Sequence, residues 1–397
     1  MKNSLIKLAV GSAALLLMST SAEAGYTMKK KVGDIDTKLT MFGFAQLEAR
    51  GGKKHIGDEN SKIGFGAQRI RLGWKYVAGP VRGKVFLDFN QFQTDSTKAE
   101  NLVAGNGAAM PKMIKDAFIS YVVSPDFVVK AGLLKMPNGM SFTMPGWNLD
   151  IVERGFDKKL VLERNTGLMI SGRDMFLGND GKVNGFEMGH ERPWIGFGYD
   201  VMIANQASRS ASAKSSKYGG NAYSIRGMFD YTEKLHIEAS YGVSENADGK
   251  DAATTNGVSY KNINLGVDSN LEELSLKAEY FDAHNIEGIS GFNEKVFTAT
   301  AGYFVMPSLE LVTKYMQGSA VGHGADTSLT NTYLGLNIFI FSPYESFSRK
   351  AKRMRNQHKV VLNYIVASGD TSGSANVWNG KGGYKDDGFV AQYQFKF

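Results

Sequence analysis

The 397-residue chain contains no cysteine and only 8 prolines, and one apolar stretch near its start is its only long one. Without cysteine there is no disulfide scaffold, no thiolate zinc site and no cysteine nucleophile. Past the first two dozen residues no run approaches the roughly 18 apolar residues that a membrane-crossing helix needs, and the mean hydropathy of -0.24 agrees. A helical membrane protein is therefore excluded. Charged residues make up only 21%, with 24 Phe and 17 Tyr, too aromatic a composition for a disordered chain. The 46 glycines are many for a helical protein. What remains is an all-β fold, and the length suits one large barrel.

The amino terminus reads as an export signal. Lys2 and Lys7 supply a basic start, Leu8 to Met18 an apolar core, and Ala22-Glu23-Ala24 a small-residue cleavage site. Residues 1–24 are thus expected to be a signal peptide, 25–36 a short periplasmic lead-in, and 37–397 a single transmembrane barrel. Removing residues 1–24 takes away two lysines and one glutamate, so the formal charge falls from +7 to +6.

The rest of the chain alternates apolar and polar residues over about ten residues between turn signals, as strands with one face to lipid and one to water do. In the last ten residues Phe389, Ala391, Tyr393, Phe395 and Phe397 fall on one face, with Gln392, Gln394 and Lys396 on the other. The pattern predicts sixteen strands, near 37–50, 62–78, 81–92, 112–124, 126–135, 160–173, 193–205, 221–231, 234–244, 258–268, 272–283, 293–306, 308–317, 328–341, 356–367 and 388–397. Short connections such as Gly79-Pro80, Ser124-Pro125 and Met306-Pro307 alternate with long ones rich in Gly, Ser, Asn and Asp, such as Gln93–Pro111 and Gly369–Asp387. A soluble sandwich has no reason to keep that parity; an outer-membrane barrel does. Two connections break it, Asp174–Arg192 and Ser342–Asn356, the second carrying Arg349, Lys350, Lys352, Arg353 and Arg355.

A barrel of about sixteen strands encloses an aqueous channel, so passive diffusion of small solutes is the expected function. The connection at 136–159 carries Phe142, Trp147, Leu149, Ile151 and Phe156. So apolar a loop is expected to fold inward and form the constriction. The pleat then assigns the basic residues. In strand 62–78 the apolar Ile70, Leu72, Trp74 and Tyr76 claim lipid and send Arg69, Arg71 and Lys75 inward, and the next strand adds Arg82 and Lys84 beside Asp88. Arg50, Arg226, Lys277, Lys314 and Lys359 share the inward face elsewhere, against Glu48, Asp230, Glu238, Asp268, Glu279 and Glu310. A lumenal basic cluster concentrates anions, and arginine forks can replace part of an oxyanion's hydration. Pairing of these residues with acids across the wall would instead leave a weakly selective general-diffusion pore.

Gly132-Leu133-Leu134-Lys135-Met136-Pro137-Asn138-Gly139, followed by Glu153-Arg154, Arg164 and Gly167, resembles the Gly-x-x-Lys-x-Pro-x-Gly... Glu-Arg... Arg-x-x-Gly stretch of the phosphate-selective porin O and P family. Lys115-Asp116-Ala117-Phe118, Phe197-Gly198-Tyr199 with Asn205, Ala278-Glu279-Tyr280 and Gly335-Leu336-Asn337 follow the same order, so the likeness runs from about residue 112 to 340. It implies a homotrimer of sixteen-stranded barrels in a Gram-negative outer membrane, among lipid and lipopolysaccharide. It also implies a basic constriction for small anionic solutes, phosphate among them, with Lys135, Arg154 and Arg164 as further pore residues. Phe397 with Tyr393 and Phe395 forms the aromatic terminal strand that barrel assembly machinery reads in such proteins. The chain departs from the family at Met136 and Asn138, in the added 349–355 turn and in the lack of a traceable arginine ladder.

Other constellations carry less. Glu245–Asp251 and Gly178–Gly181 have a calcium-loop composition without EF-hand spacing. The six histidines include no i, i+4 pair for a metal. No cofactor and no nucleic-acid partner is indicated. The alternatives are an outer-membrane barrel enzyme, for which His236 and Ser240 would be base and nucleophile, and an adhesin using the external loops.

Overall fold

The computed structural model describes residues 25–52, 63–91, 113–124, 126–175, 195–205, 220–232, 234–245, 258–322, 327–340, 347, 355–369 and 383–397. The signal-peptide expectation, most of the long connections, both calcium-like stretches except Glu245, and the basic turn except Arg355 lie outside the described residues.

The described residues form seventeen strands in order: β1 Tyr26–Val32, β2 Ile35–Gly52, β3 Gly64–Ala78, β4 Val81–Asp88, β5 Ile114–Ser124, β6 Phe127–Lys135, β7 Arg164–Met175, β8 Ile195–Asn205, β9 Asn221–Tyr231, β10 Leu235–Ser244, β11 Tyr260–Leu271, β12 Leu274–His284, β13 Asn293–Met306, β14 Leu309–Val321, β15 Thr327–Phe339, β16 His358–Ser368 and β17 Gly388–Lys396. From β2 to β17 every strand pairs antiparallel with its chain neighbour. The ring closes where β17 meets β2, from Gly388 opposite Gly52 to Lys396 opposite Phe44. Closure leaves no unpaired edge among the sixteen, which a backbone in hydrocarbon requires. No helix of the described residues is long and apolar enough to cross a membrane.

All sixteen expected strands are present, with ends that differ by a few residues. The stretch 25–36 is itself built into the sheet: β1 pairs with the start of β2, Tyr26 opposite Met41 through Val32 opposite Ile35. It continues the edge of β2 beyond the point where Phe397 pairs with Gly43. The larger correction is at 160–173. Leu160, Val161 and Leu162 are an apolar run that imitates a strand start, but their side chains are fully buried and β7 begins only at Arg164. The inserted loop therefore runs to Glu163 rather than ending at residue 159.

The pleat behaves as the sequence predicts. In β9 Ala222, Ser224, Arg226 and Met228 are covered, while Tyr223 and Ile225 are exposed. Outside the barrel, Ile225, Leu265 and Leu334 form an exposed apolar belt. Tyr76, Tyr121, Tyr231 and Tyr303 stand beside the short turns, and Phe65, Tyr241 and Tyr364 lie toward the other rim. An apolar belt flanked by aromatic girdles is the outer surface of a membrane barrel.

Candidate functional site: the lumen and its inserted loop

The loop from Met136 to Glu163 folds into the barrel, as its apolar content requires. Its two ends are joined by the Met136 N–H donating to the Glu163 carbonyl at 2.9 Å. Asn138, which has no solvent exposure, makes a reciprocal amide pair with Asn262 of β11, 2.8 Å in each direction. One helical turn follows, Met140–Thr143, where Ser141 gathers three partners. Its N–H donates to Glu279 of β12 at 3.0 Å, its hydroxyl to Asp157 at 2.7 Å, and its carbonyl accepts from Arg154 Nε at 2.8 Å.

Beyond that turn the wall holds the loop by its backbone. Gln46 of β2 and Gln394 of β17 donate to the carbonyls of Gly146 and Trp147 at 3.2 and 3.0 Å. Lys359 of β16 donates to Leu149 at 2.6 Å, Asn337 of β15 to Asp150 at 2.8 Å, and Lys314 of β14 to Arg154 at 2.6 Å. Phe142, Ile151, Val152, Phe156 and Leu160 through Leu162 join Phe281, Val296, Met316, Tyr333 and Val361 of the wall in one buried cluster. The loop thus lies mainly against the wall that runs from β9 through β17 to β2, with its tip residue Trp147 reaching Phe86 of β4.

On β3 to β7 the lumenal face is basic. Arg69, Arg71 and Lys75 of β3 and Arg82 and Lys84 of β4 face inward as predicted. Lys115, Lys130, Lys135 and Arg164 add to them. Arg71 is paired with Asp88 at 2.8 Å, Lys84 with Asp116 at 3.2 Å, and Arg164 with Asp116 at 2.8 Å. Lys135, which pleat parity alone does not assign, caps the helical turn, its ammonium 2.7, 3.1 and 3.2 Å from the carbonyls of Phe142, Thr143 and Met144. The parity slip comes from Gly132. Its φ is +128°, and a Cβ there would collide with the Ala117 carbonyl, so the strand turns its following residues out of simple alternation.

Farther round, Arg226 pairs with Asp200 at 2.5 Å and with Glu238 at 3.4 Å. Lys277 pairs with Asp150 of the loop at 2.6 Å. Of the expected pore residues, then, Arg69, Arg71, Lys75, Arg82, Lys84, Lys135 and Arg154 gather on or beside the basic wall, Lys135 there capping the loop's helical turn, whereas Lys277 and Lys314 hold the loop from the other wall and Arg226 pairs with Asp200 and Glu238. Sequence reasoning missed Asp116, the second acid of the cluster. A register shift between Phe86 and Leu87, opposite Asp116 and Ile114, breaks the alternation of β5. Asp200, Lys130 and Arg173 were missed as well, although they lie on the covered face of strands whose alternation is readable.

Charge crowding shows in the loop. Burial lowers the proton affinity of Arg154, and Arg71 and Arg164 beside it lower it further. Burial alone would raise the Glu163 carboxyl, but Lys158 and Arg164 outweigh it and hold that group well below the usual carboxylate range.

His236 and Ser240 do not form a base and nucleophile. The imidazole nitrogens face Asp230 at 2.9 Å and Glu238 at 3.1 Å, while the Ser240 hydroxyl accepts from the Gly139 N–H at 3.2 Å. Among the described residues no group of three or more His, Asp or Glu is placed to hold a metal ion.

The barrel fold is similar to that of solved porins. The fold is similar to that of an anion-selective porin from Comamonas acidovorans, with a TM-score of 0.58 at 13% identity over 91% of this chain and 100% of that one. It is similar also to OmpF of Salmonella typhi, 0.59 at 13% over 93% and 100%, and to the outer membrane channel DcaP of Acinetobacter baumannii, 0.55 at 13% over 94% and 100%. No family model matches the sequence, and no curated protein does. At such identities the likeness establishes a closed sixteen-stranded porin-type barrel.

Proposed function

We propose that the protein is an outer-membrane porin that lets small anions, phosphate and other oxyanions among them, diffuse through a water-filled lumen. The observation that carries this reading is the imbalance on β3–β7. Ten lumen-facing cations, Arg69, Arg71, Lys75, Arg82, Lys84, Lys115, Lys130, Lys135, Arg164 and Arg173, stand on those strands against two described inward acids of the same strands, Asp88 and Asp116, with Asp200 of β8 paired to Arg173. The strand register sharpens it. Lys75 stands directly opposite Lys84, a cross-strand arrangement that ordinarily destabilises a sheet. A low-dielectric wall with surplus positive charge raises the local anion concentration and repels cations. The anion selectivity of the Comamonas porin and the likeness of 112–340 to the phosphate-selective porins support the same reading.

The remaining expectations belong to this proposal. Residues 1–24 direct export and are removed, and the mature barrel sits in a Gram-negative outer membrane as a homotrimer in contact with lipid and lipopolysaccharide. Phe397, whose backbone pairs with Gly43 at 3.0 Å in both directions, is the terminal residue that assembly machinery reads. The channel needs no cofactor and catalyses no reaction.

The deciding measurement is the single-channel reversal potential in a potassium chloride gradient, followed by block of chloride current with phosphate and with sulfate. An anion-side potential is expected. A potential at zero or on the cation side would leave a general-diffusion porin and remove the anion reading.

A further inference from the structure

Four uncharged side chains sit beside the basic wall. Phe42 and Phe44 of β2, Phe86 of β4 and Trp147 at the tip of the inserted loop form a separate buried cluster. The Phe42 and Phe86 rings stack at 5.3 Å between centroids. Trp147 meets Phe44, Phe86 and Phe42 edge-on at 5.1, 6.3 and 6.4 Å. Inward aromatics in a wet lumen call for an explanation, since bulky apolar rings there gain nothing from lipid. The close approach is made possible by Gly73, in the middle of the basic strand β3, where a Cβ would lie 2.6 Å from Phe86 and 2.9 Å from Phe42.

What covers these rings is positive charge. The Lys75 ammonium lies 4.8 Å from the Phe42 centroid, Lys84 5.4 Å from Phe86, and the Arg71 guanidinium 5.7 Å from both Phe44 and Phe86. Lys396, from the last residues of β17, stands 4.9 Å over Trp147. A ring face attracts a cation through its quadrupole. Unlike a carboxylate, it does so without cancelling the charge seen by a passing anion.

We infer that Phe42, Phe44, Phe86 and Trp147 form an aromatic socket that sets selectivity by position: it docks the loop tip and holds Arg71, Lys75, Lys84 and Lys396 at the lumen, Arg71 and Lys84 while they also pair with Asp88 and Asp116. The inference rests on the anion-channel reading and deepens it. The ring faces hold Arg71 and Lys84 beyond what their Asp88 and Asp116 pairs supply, and they do so without adding further negative charge. The socket also links two parts of the pore, because the rings that seat Trp147 are the rings on which the wall cations lie.

The test uses full-length protein in planar bilayers, with the reversal potential read near 0.1 M potassium chloride, where the Debye length is about 10 Å. The variants are Phe42→Leu, Trp147→Leu and Trp147→Phe, none of which alters charge, and heat-modifiable mobility on detergent gels confirms that each barrel closes. Both leucine variants should lower the anion-over-cation permeability ratio about twofold, whereas Trp147→Phe, which keeps a ring face, should hold the wild-type ratio. Leucine variants that keep the wild-type ratio would overturn the socket. So would a Trp147→Phe ratio as low as that of Trp147→Leu, because the indole's shape and not its ring face would then be what counts. Should Trp147→Leu fail to close, Phe42→Leu decides the matter alone, since its ring lies on β2 and carries Lys75 and Lys84. A wild-type channel without anion preference would refute the channel reading instead. The socket would then stand if Phe42→Leu still moved the potential toward the cation side, and fall if it did not.

Discussion

Lysine and arginine do opposite work on the two walls of this barrel. On β14 and β16, Lys314 and Lys359 spend their ammonium groups on loop carbonyls, and on β12 Lys277 binds the loop through Asp150. There the charge is structural, a fastener for a folded-in segment. On β3 and β4, Arg71, Lys75 and Lys84 lie among aromatic rings and two carboxylates, and the surplus charge faces the lumen. Both walls follow the same pleat. Inward direction therefore does not define a pore residue; what the side chain meets inside does.

The sharpest way to break the basic wall is at its most constrained pair. Arg164 and Asp116 are both buried, 2.8 Å apart. Arg164→Gln leaves Asp116 with Lys84 alone and should cost about 3–5 kcal/mol. The expected outcome is a markedly lower temperature for the heat-induced mobility shift. An unchanged temperature would mean that the pair is solvated and the wall looser than its geometry.

The structural wall should fail differently. Lys314→Met with Lys359→Met leaves the Arg154 and Leu149 carbonyls without these donors, at about 1–3 kcal/mol each. The loop should then detach locally, giving higher and noisier single-channel conductance. A quiet channel of unchanged conductance would show that the apolar cluster alone holds the loop.

Selectivity should respond to the other wall. Arg71→Gln with Arg82→Gln removes two charges while Ile70, Leu72 and Trp74 keep their outward places. At an effective dielectric constant of about 20 a unit charge acting across 10 Å is worth roughly 1–2 kcal/mol before screening. The permeability ratio should therefore fall about threefold to tenfold near 0.1 M salt. The effect should shrink toward 1 M, where the Debye length is about 3 Å. If the double variant keeps its preference at low salt, the source is the loop side of the passage, with Lys135 and Arg154.

How much of this is legible in the sequence follows from range. Strand number, inward faces and the turn parity are local alternations, and Arg69, Arg71, Lys75, Arg82 and Lys84 could be oriented from them. The inward fold of the loop was legible because Phe142, Trp147 and Phe156 have no place in an exposed connection. The wall it chooses depends on partners more than a hundred residues away, such as Asn262 for Asn138 and Lys359 for Leu149. Local pattern carries no such information. Alternation also fails where the strand is irregular: the bulge near Lys115 hid Asp116, and the left-handed Gly132 hid Lys135. Leu160 through Leu162 misled for a related reason, since a run buried against the inside of a barrel and a strand buried in lipid have the same composition.

The smallest expected effect is also the most discriminating for the two walls. Lys277 faces inward by the same parity as Arg71, and a reading by charge alone ranks the two together. In the structure its ammonium lies 2.6 and 2.8 Å from the Asp150 carboxylate oxygens, with both side chains partly open to water at 17% and 24% exposure. A pair this accessible contributes about 0.2–1 kcal/mol. Lys277→Gln should accordingly leave the heat-shift temperature nearly unchanged. Its effect on permeability should also be slight, because the field of Lys277 is already offset by the acid beside it. A loss of anion preference as large as that of the Arg71 and Arg82 pair would mean that solute passes along β12 as readily as along β3. The division of the lumen into a structural and an electrostatic wall would then fail.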